Sequence, residues 1–188
     1  MIRPILLYGH PVLREKGSPI LEVTEDLRAF AEDLIETMRD AEGVGLAAQQ
    51  VGSTQKIAVV DVSGAENPLT FLRVNGEECD WEELMPFVFL NPRVEGTGDR
   101  VKEQEGCLSF PDVRGDVPRP ESIKAFVETM DGEKLEIETD GLFARAIQHE
   151  TDHLNGILFI DRMSSGQKLS VRTLVKAIQR DGLRMAKG

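Results

Sequence analysis

The sequence predicts an α+β fold, with small antiparallel or mixed β-sheets gathered around a central helix and further helices towards the N-terminal and C-terminal ends. Three observations predict it. Apolar residues recur at helical spacing in three separate segments, near 25–41, 140–154 and 165–186. Four short β-like runs sit together between the first and second of these, rather than alternating with helices. A chain of 188 residues is also long enough to bury one sizeable core, so residues 1–188 read as one domain.

The first helix follows Thr24, an N-cap residue type, and carries Leu27, Phe30, Ala31, Leu34, Ile35, Met38 and Ala41 on one side. "EGVGL" ends it, since paired glycines stop helices and allow close backbone approach. The β-like runs are "KIAVVDV" (56–62), "FVFLNPRV" (87–94), "SIKAFVETM" (122–130) and "KLEIET" (134–139). The last two form a hairpin around "DGEK". Residues 63–86 are polar, acidic and turn-rich, which predicts a surface insertion; they hold the only Trp, so part of the segment packs. The second helix runs from Asp140 to Leu154 and stops at Asn155-Gly156, and the third covers 165–186.

A net charge of −11 argues against non-specific nucleic-acid binding by the whole surface, and DNA is not an expected partner. No apolar run approaches the length of a membrane span. The start, "MIRPILLYGHPVLREKGSPI", lacks a continuous signal-peptide core and the Arg/Ser-rich look of a transit peptide, so a cytoplasmic location is expected. Two cysteines are too few for a disulfide framework, which turns attention to metal or catalytic chemistry for at least one.

The chemistry concentrates in "QHETDHLNG" (148–156). His149, Glu150 and His153 form H-E-x-x-H, and on a helix the two histidines lie about 40° apart on one face. Leu142, Phe143, Ala146, Ile147 and Leu154 fill the arc beside them, with Glu150 in its middle; Arg145, Gln148, Thr151 and Asp152 take the opposite face. A carboxylate on the core side costs several kcal/mol if unpaired, roughly, so a metal site explains it better than a surface charge. H-E-x-x-H supplies two ligands, and a working site needs a third. No Glu or His follows His153, which argues against a peptidase that draws its third ligand from downstream. His10, in "YGHPVLR", reads as a turn residue, and Cys79 lies in the acidic, surface-like "NGEECDWEE". Cys107, in "EQEGCLSFPD", remains, with Gly106 beside it to allow close approach of the backbone to the ion. Three protein ligands leave a fourth position open, as catalytic sites do.

Three segments, "GVGLAAQQVG" (43–52), "EGCLS" (105–109) and "QHETDHLNG", resemble the three motifs of the peptide deformylases and occur in that family's order. The similarity extends from "PILLYGHPVLR" to "LFIDRM" (158–163), although the stretch at 63–86 is longer than in the most compact members. The resemblance implies metal-dependent hydrolysis of the N-formyl group from the starting methionine of newly made polypeptides, with release of formate. It implies Fe2+ on Cys107, His149 and His153, a set that also accepts Zn2+, Ni2+ or Co2+. It makes Glu150 the proton carrier and Gln50 and the Leu108 backbone N–H the donors to the developing oxyanion, with Gly45 beside them in the catalytic set. Gly43 and Gly45 would take an extended substrate as an added strand. Val44, Leu108, Leu142 and Ala146 are candidates for the methionine pocket, with ordinary core residues as the rival reading. Arg114 stands where the family often has a substrate-contacting Arg, and an exposed structural Arg is its rival.

The last helix departs from the acidic balance. Lys168, Arg172, Lys176, Arg180, Arg184 and Lys187 recur every three or four residues, opposite Val171, Leu174, Val175, Ile178 and Met185. A solvated outer face competes here with docking to ribosomal RNA near the nascent-chain exit, which the resemblance suggests. Three rival classes frame the expectation: an endopeptidase, a non-catalytic relative and a deformylase of altered acyl preference. The endopeptidase lacks its downstream ligand. The non-catalytic relative is expected to lose Glu150 or Gln50, and both are present. The intact motifs do not separate the third.

Overall fold

The computed structural model describes residues 1–187. Helix α1 (Glu25–Asp40) is capped by Thr24, whose hydroxyl accepts from the Leu27 backbone N–H, and it buries the periodic face expected of it. Seven strands follow or intervene: β1 (Gly45–Ala47), β2 (Ile57–Val60), β3 (Leu72–Val74), β4 (Glu77–Glu78), β5 (Phe87–Cys107), β6 (Phe110–Glu128) and β7 (Lys134–Asp140). They form one sheet in the order β1-β2-β5-β6-β7-β3-β4, every pair antiparallel. Helices α2 (Gly141–Leu154), α3 (Phe159–Arg162), α4 (Ser165–Ser170) and α5 (Arg172–Met185) complete the chain. The class is α+β, as the grouping of elements predicts.

Two long strands join what the sequence reads as small sheets. β5 and β6 stay paired from Leu90↔Glu128 to Cys107↔Phe110, far beyond the expected ends at 94 and 122. Near their open end they are flanked by β2 and β7, and past Ser122 they continue alone as a two-stranded ribbon, residues 98–121. Asn91 sits at a register shift inside β5 with φ 51°. The segment 63–86 is not only an excursion. It supplies β3 and β4 at the sheet edge, with Leu72 paired to Thr139, and lays Trp81, Leu84 and Met85 against the core.

α2 lies between the sheet and the ribbon. One side packs Phe143 and Ile147 against Phe87, Phe89 and Ala125. The opposite face is covered by the ribbon, so Arg145, Gln148, Thr151 and Asp152 are all buried. A second apolar cluster joins α1 to β1 and β2 through Leu34, Met38, Leu46 and Ile57. A third joins the N-terminal segment, the ribbon and the last helices through Leu13, Phe110, Phe159 and Ile178. The expected helix over 165–186 breaks at Val171 into α4 and α5. Ile178 is buried and Val171 and Val175 half-buried, whereas Leu174 and Met185 stay exposed with the six basic residues. Among the described residues no helix is long and apolar enough to cross a membrane.

Candidate metal centre

Cys107 ends β5, immediately before the two-residue Leu108-Ser109 turn into β6. Opposite it, β6 carries three extra residues, Pro111 to Val113, with Asp112 at φ 61°. Such a bulge bends the strand and re-aims side chains. Here the hairpin end comes down on the last turns of α2. The Cys107 thiol and the ring nitrogens of His149 and His153 bring their ligand atoms within 4.8 Å of one another, with Sγ 3.2 Å from His153 Nε2. The three expected ligands, 42 and 46 residues apart along the chain, therefore meet.

The donor set fits an ion. His149 Nδ1 lies 3.1 Å from Glu105 Oε2, which leaves Nε2 for a metal, the arrangement by which carboxylates orient metal-binding histidines. Burial works against charge on His149, yet Cys107 and Glu105 hold its pKa well above the ordinary value, so this spot attracts a cation. Burial pushes His153 well below its ordinary pKa, towards the neutral form a ligand needs.

Sequence reasoning did not find Glu105, though it opens the quoted "EGCLS" motif. It is 7% exposed and is gripped by Arg119, with Nε 2.6 Å from Oε1 and Nη2 3.0 Å from Oε2, and by Arg145, with Nη1 2.7 Å from Oε1. Burial raises its pKa, but hydrogen bonds from His149 and Arg119 bring it down to about 2. Arg119, 2% exposed, also reaches Asp152 Oδ2 at 2.8 Å, and Arg162 bonds the same carboxylate. Ribbon and helix are thus fastened by an ion network directly behind His149. The only signal in the sequence was chemical: a metal-bound histidine calls for an acceptor at its second nitrogen.

Glu150 is 3% exposed, and its Oε2 has no hydrogen-bond partner among the described residues. Burial pushes its carboxyl up to about 7. A side chain on Gly45 would overlap Glu150 Oε1, so the glycine makes room for the carboxylate. Gln50 is buried beside them. Its amide N–H donates to Ser109 Oγ at 3.3 Å and lies 3.6 Å from Cys107 Sγ, while its Oε1 accepts from the Ala47 backbone N–H at 2.9 Å. Ser109 is a further residue that the sequence did not single out. At Gly106 the space of the missing side chain is taken by the Arg114 guanidinium.

A cavity of about 620 Å³ opens over this group. Gly43, Val44 and Gly45 line one side, Leu108 and Arg114 the hairpin side, and Leu142 and Ala146 the helix side, with Gln50, Cys107, His149 and Glu150 at its base. All the expected substrate residues face one space. His10 and Cys79 lie elsewhere: His10 Nδ1 accepts from the Val12 backbone N–H, and Cys79 is exposed.

The family model for polypeptide deformylase matches residues 2–169. The chain belongs to the peptide deformylase family. It is accordingly an enzyme, a metal-dependent hydrolase. Among its relatives, the peptide deformylase of Methylacidiphilum infernorum is 42% identical over 180 residues, covering 96% of this chain and 94% of that protein. The deformylase crystal structure from Thermus thermophilus superposes with a TM-score of 0.79 at 33% identity, covering 96% of this chain and 99% of that one. A plant deformylase structure superposes with a TM-score of 0.82 at 31% identity, covering 100% of this chain and 94% of that one. These likenesses run the length of the deformylase chain, through the ribbon and α2 that carry the centre.

Proposed function

We propose that Cys107, His149 and His153 hold one divalent ion and that Glu150 carries the proton as this deformylase removes the N-formyl group from the starting methionine of nascent polypeptides. The observation that carries the assignment is the convergence of the three ligand atoms beside a buried, unpartnered carboxylate at the base of one cavity. A bound ion supplies Lewis acidity and a water nucleophile at neutral pH. Glu150 takes the proton of the attacking water and delivers it to the departing amine, work suited to a carboxyl whose pKa lies near the operating pH. Gln50, held at its Oε1 by Ala47, offers its amide to the oxygen that gains charge, together with the Leu108 backbone N–H.

Substrate recognition follows from β1, an outer strand of the sheet. An extended polypeptide adds beside Gly43–Gly45 as a further strand. Val44, Leu108, Leu142 and Ala146 receive the methionine side chain, and Arg114 meets the chain at the mouth. Fe2+ is the native ion of this reading, with Zn2+, Ni2+ and Co2+ able to replace it on a thiolate and two imidazoles. Such an enzyme works in the cytoplasm, where its substrates are made. The exposed basic row on α4 and α5 and at Lys187 suits transient docking to ribosomal RNA, and binding that weakens steeply with salt in co-sedimentation would support it.

Glu150→Gln tests the central assignment. Its turnover of a formyl-Met peptide should fall about 10²–10⁴-fold while metal content stays at the wild-type level. Near-normal turnover would remove Glu150 from its role. Cys107→Ala should lose the ion, and full metal occupancy in that variant would refute the ligand set. Comparison of formyl-Met and acetyl-Met peptides under anaerobic conditions decides the acyl preference.

A further inference from the structure

A second cavity of about 390 Å³ lies beyond the substrate cavity, bordered by Val101, Glu103, Pro120 and Gly141, and Arg145 lines both. Arg145 is tied down along its whole guanidinium. Nη1 donates to Glu105 Oε1 at 2.7 Å and to the Val117 carbonyl at 2.9 Å, Nη2 donates to the Val101 carbonyl at 3.1 Å, and Nε lies 2.9 Å from Glu103 Oε2. Its side chain is 8% exposed, whereas that of Glu103, on the far side, is 55% exposed. Along α2, Arg145 stands one helical turn, about 6 Å, from the ligand His149. Between them the small Ala146 leaves the cavity open.

We propose that Arg145, braced from outside by Glu103, is the end wall of the side-chain pocket and sets the length of the N-terminal side chain that this enzyme accepts. The inference rests on the deformylase reading of the cavity. An aliphatic wall yields by rotamer changes. A guanidinium with every edge engaged, two of its partners carboxylates, yields only by giving up buried charge-assisted bonds. Side chains that stop short of the wall fit; longer ones meet it, although empty space lies behind.

The test uses metal-loaded enzyme and formyl dipeptides whose first residue is methionine, norleucine, 2-aminooctanoic acid or 2-aminodecanoic acid. Wild type should show a fall in kcat/KM of about tenfold or more from norleucine to 2-aminooctanoic acid, within the range that pocket contacts of this size command. Arg145→Ala should raise the ratio of long-chain to methionine kcat/KM by about tenfold or more. Arg145→Met, which keeps the length but loses every bracing bond, should relax the cut-off in the same direction by a smaller factor than Arg145→Ala. Glu103→Ala, at a half-exposed position, should move the ratio in the same direction by a smaller factor. A wild-type ratio in metal-loaded Arg145→Ala overturns the proposal. Should that variant not fold, a wild-type ratio in Glu103→Ala overturns it instead. A wild-type enzyme inactive on every formyl peptide would count against the deformylase reading, not against the wall.

Discussion

His149 keeps one ring nitrogen free for the proposed ion because Glu105 occupies the other at 3.1 Å, and Glu105 stays charged because Arg119 and Arg145 surround it. Glu105→Gln should therefore weaken metal binding about 10–100-fold, since an amide orients the ring without its charge. At saturating metal, kcat should largely return, which separates a positioning residue from a ligand. Metal titration followed by assay of the loaded enzyme checks both halves, and unchanged affinity would sink the role. The three residues that meet in the candidate centre were legible in the sequence: H-E-x-x-H supplied two, and the lack of a downstream Glu or His led to Cys107. Glu105 was not legible as a partner. An acidic residue in "KEQEG" reads as solvated until Arg119, on the opposite strand, is known to sit against it.

The helices show where periodicity informs and where it misleads. α1 was readable because one face is apolar and the other wet. α2 carries the same kind of stripe, but the ribbon covers its polar side, and polar residues facing polar partners leave no mark in a hydrophobic pattern. The ribbon itself escaped notice because "GTGDRVKEQEG" is mostly exposed and reads as a loop. A smaller clasp below α2 gives a pH prediction. Asp161 accepts from the Leu158 backbone N–H at 2.9 Å at the start of α3 and bonds Arg14 in the N-terminal 3-10 turn at 3.0 Å. Burial alone would raise its pKa, but Arg14 and Leu158 hold it below the ordinary value. A depressed carboxylate contributes stability above its unfolded pKa of about 3.9 and loses it as pH falls through the lower folded value. Metal-free Asp161→Asn should thus show a flatter loss of Tm below about pH 4 than metal-free wild type. Parallel curves would exclude the clasp as a source of acid sensitivity.

Across the whole molecule, the sheet holds the cavity's β1 side, α2 its base and the ribbon its third wall, so an ion on the proposed ligands would tie ribbon to helix. Chelation should lower the unfolding free energy by about 2.7 kcal/mol relative to protein held with metal at a hundred times its Kd. Amide exchange should quicken in residues 98–121 more than in β2 or β7, which the sheet and α2 retain. Uniform exchange across the chain would show that the ion network alone fixes the ribbon. The net charge of −11 and the basic row at the C-terminal end point in opposite directions, and only sequence position, not total charge, revealed the second.

The separation of the proposed ligands, at 107 on the hairpin and at 149 and 153 on the helix, also orders events in time. The hairpin is assembled from neighbours in sequence and can close early, whereas its docking on α2 waits on contacts distant along the chain. During its own synthesis the protein therefore has no centre until the segment through His153 has been released and packed. A molecule whose substrate is the unfinished polypeptide is thus inert for most of the time that it is one.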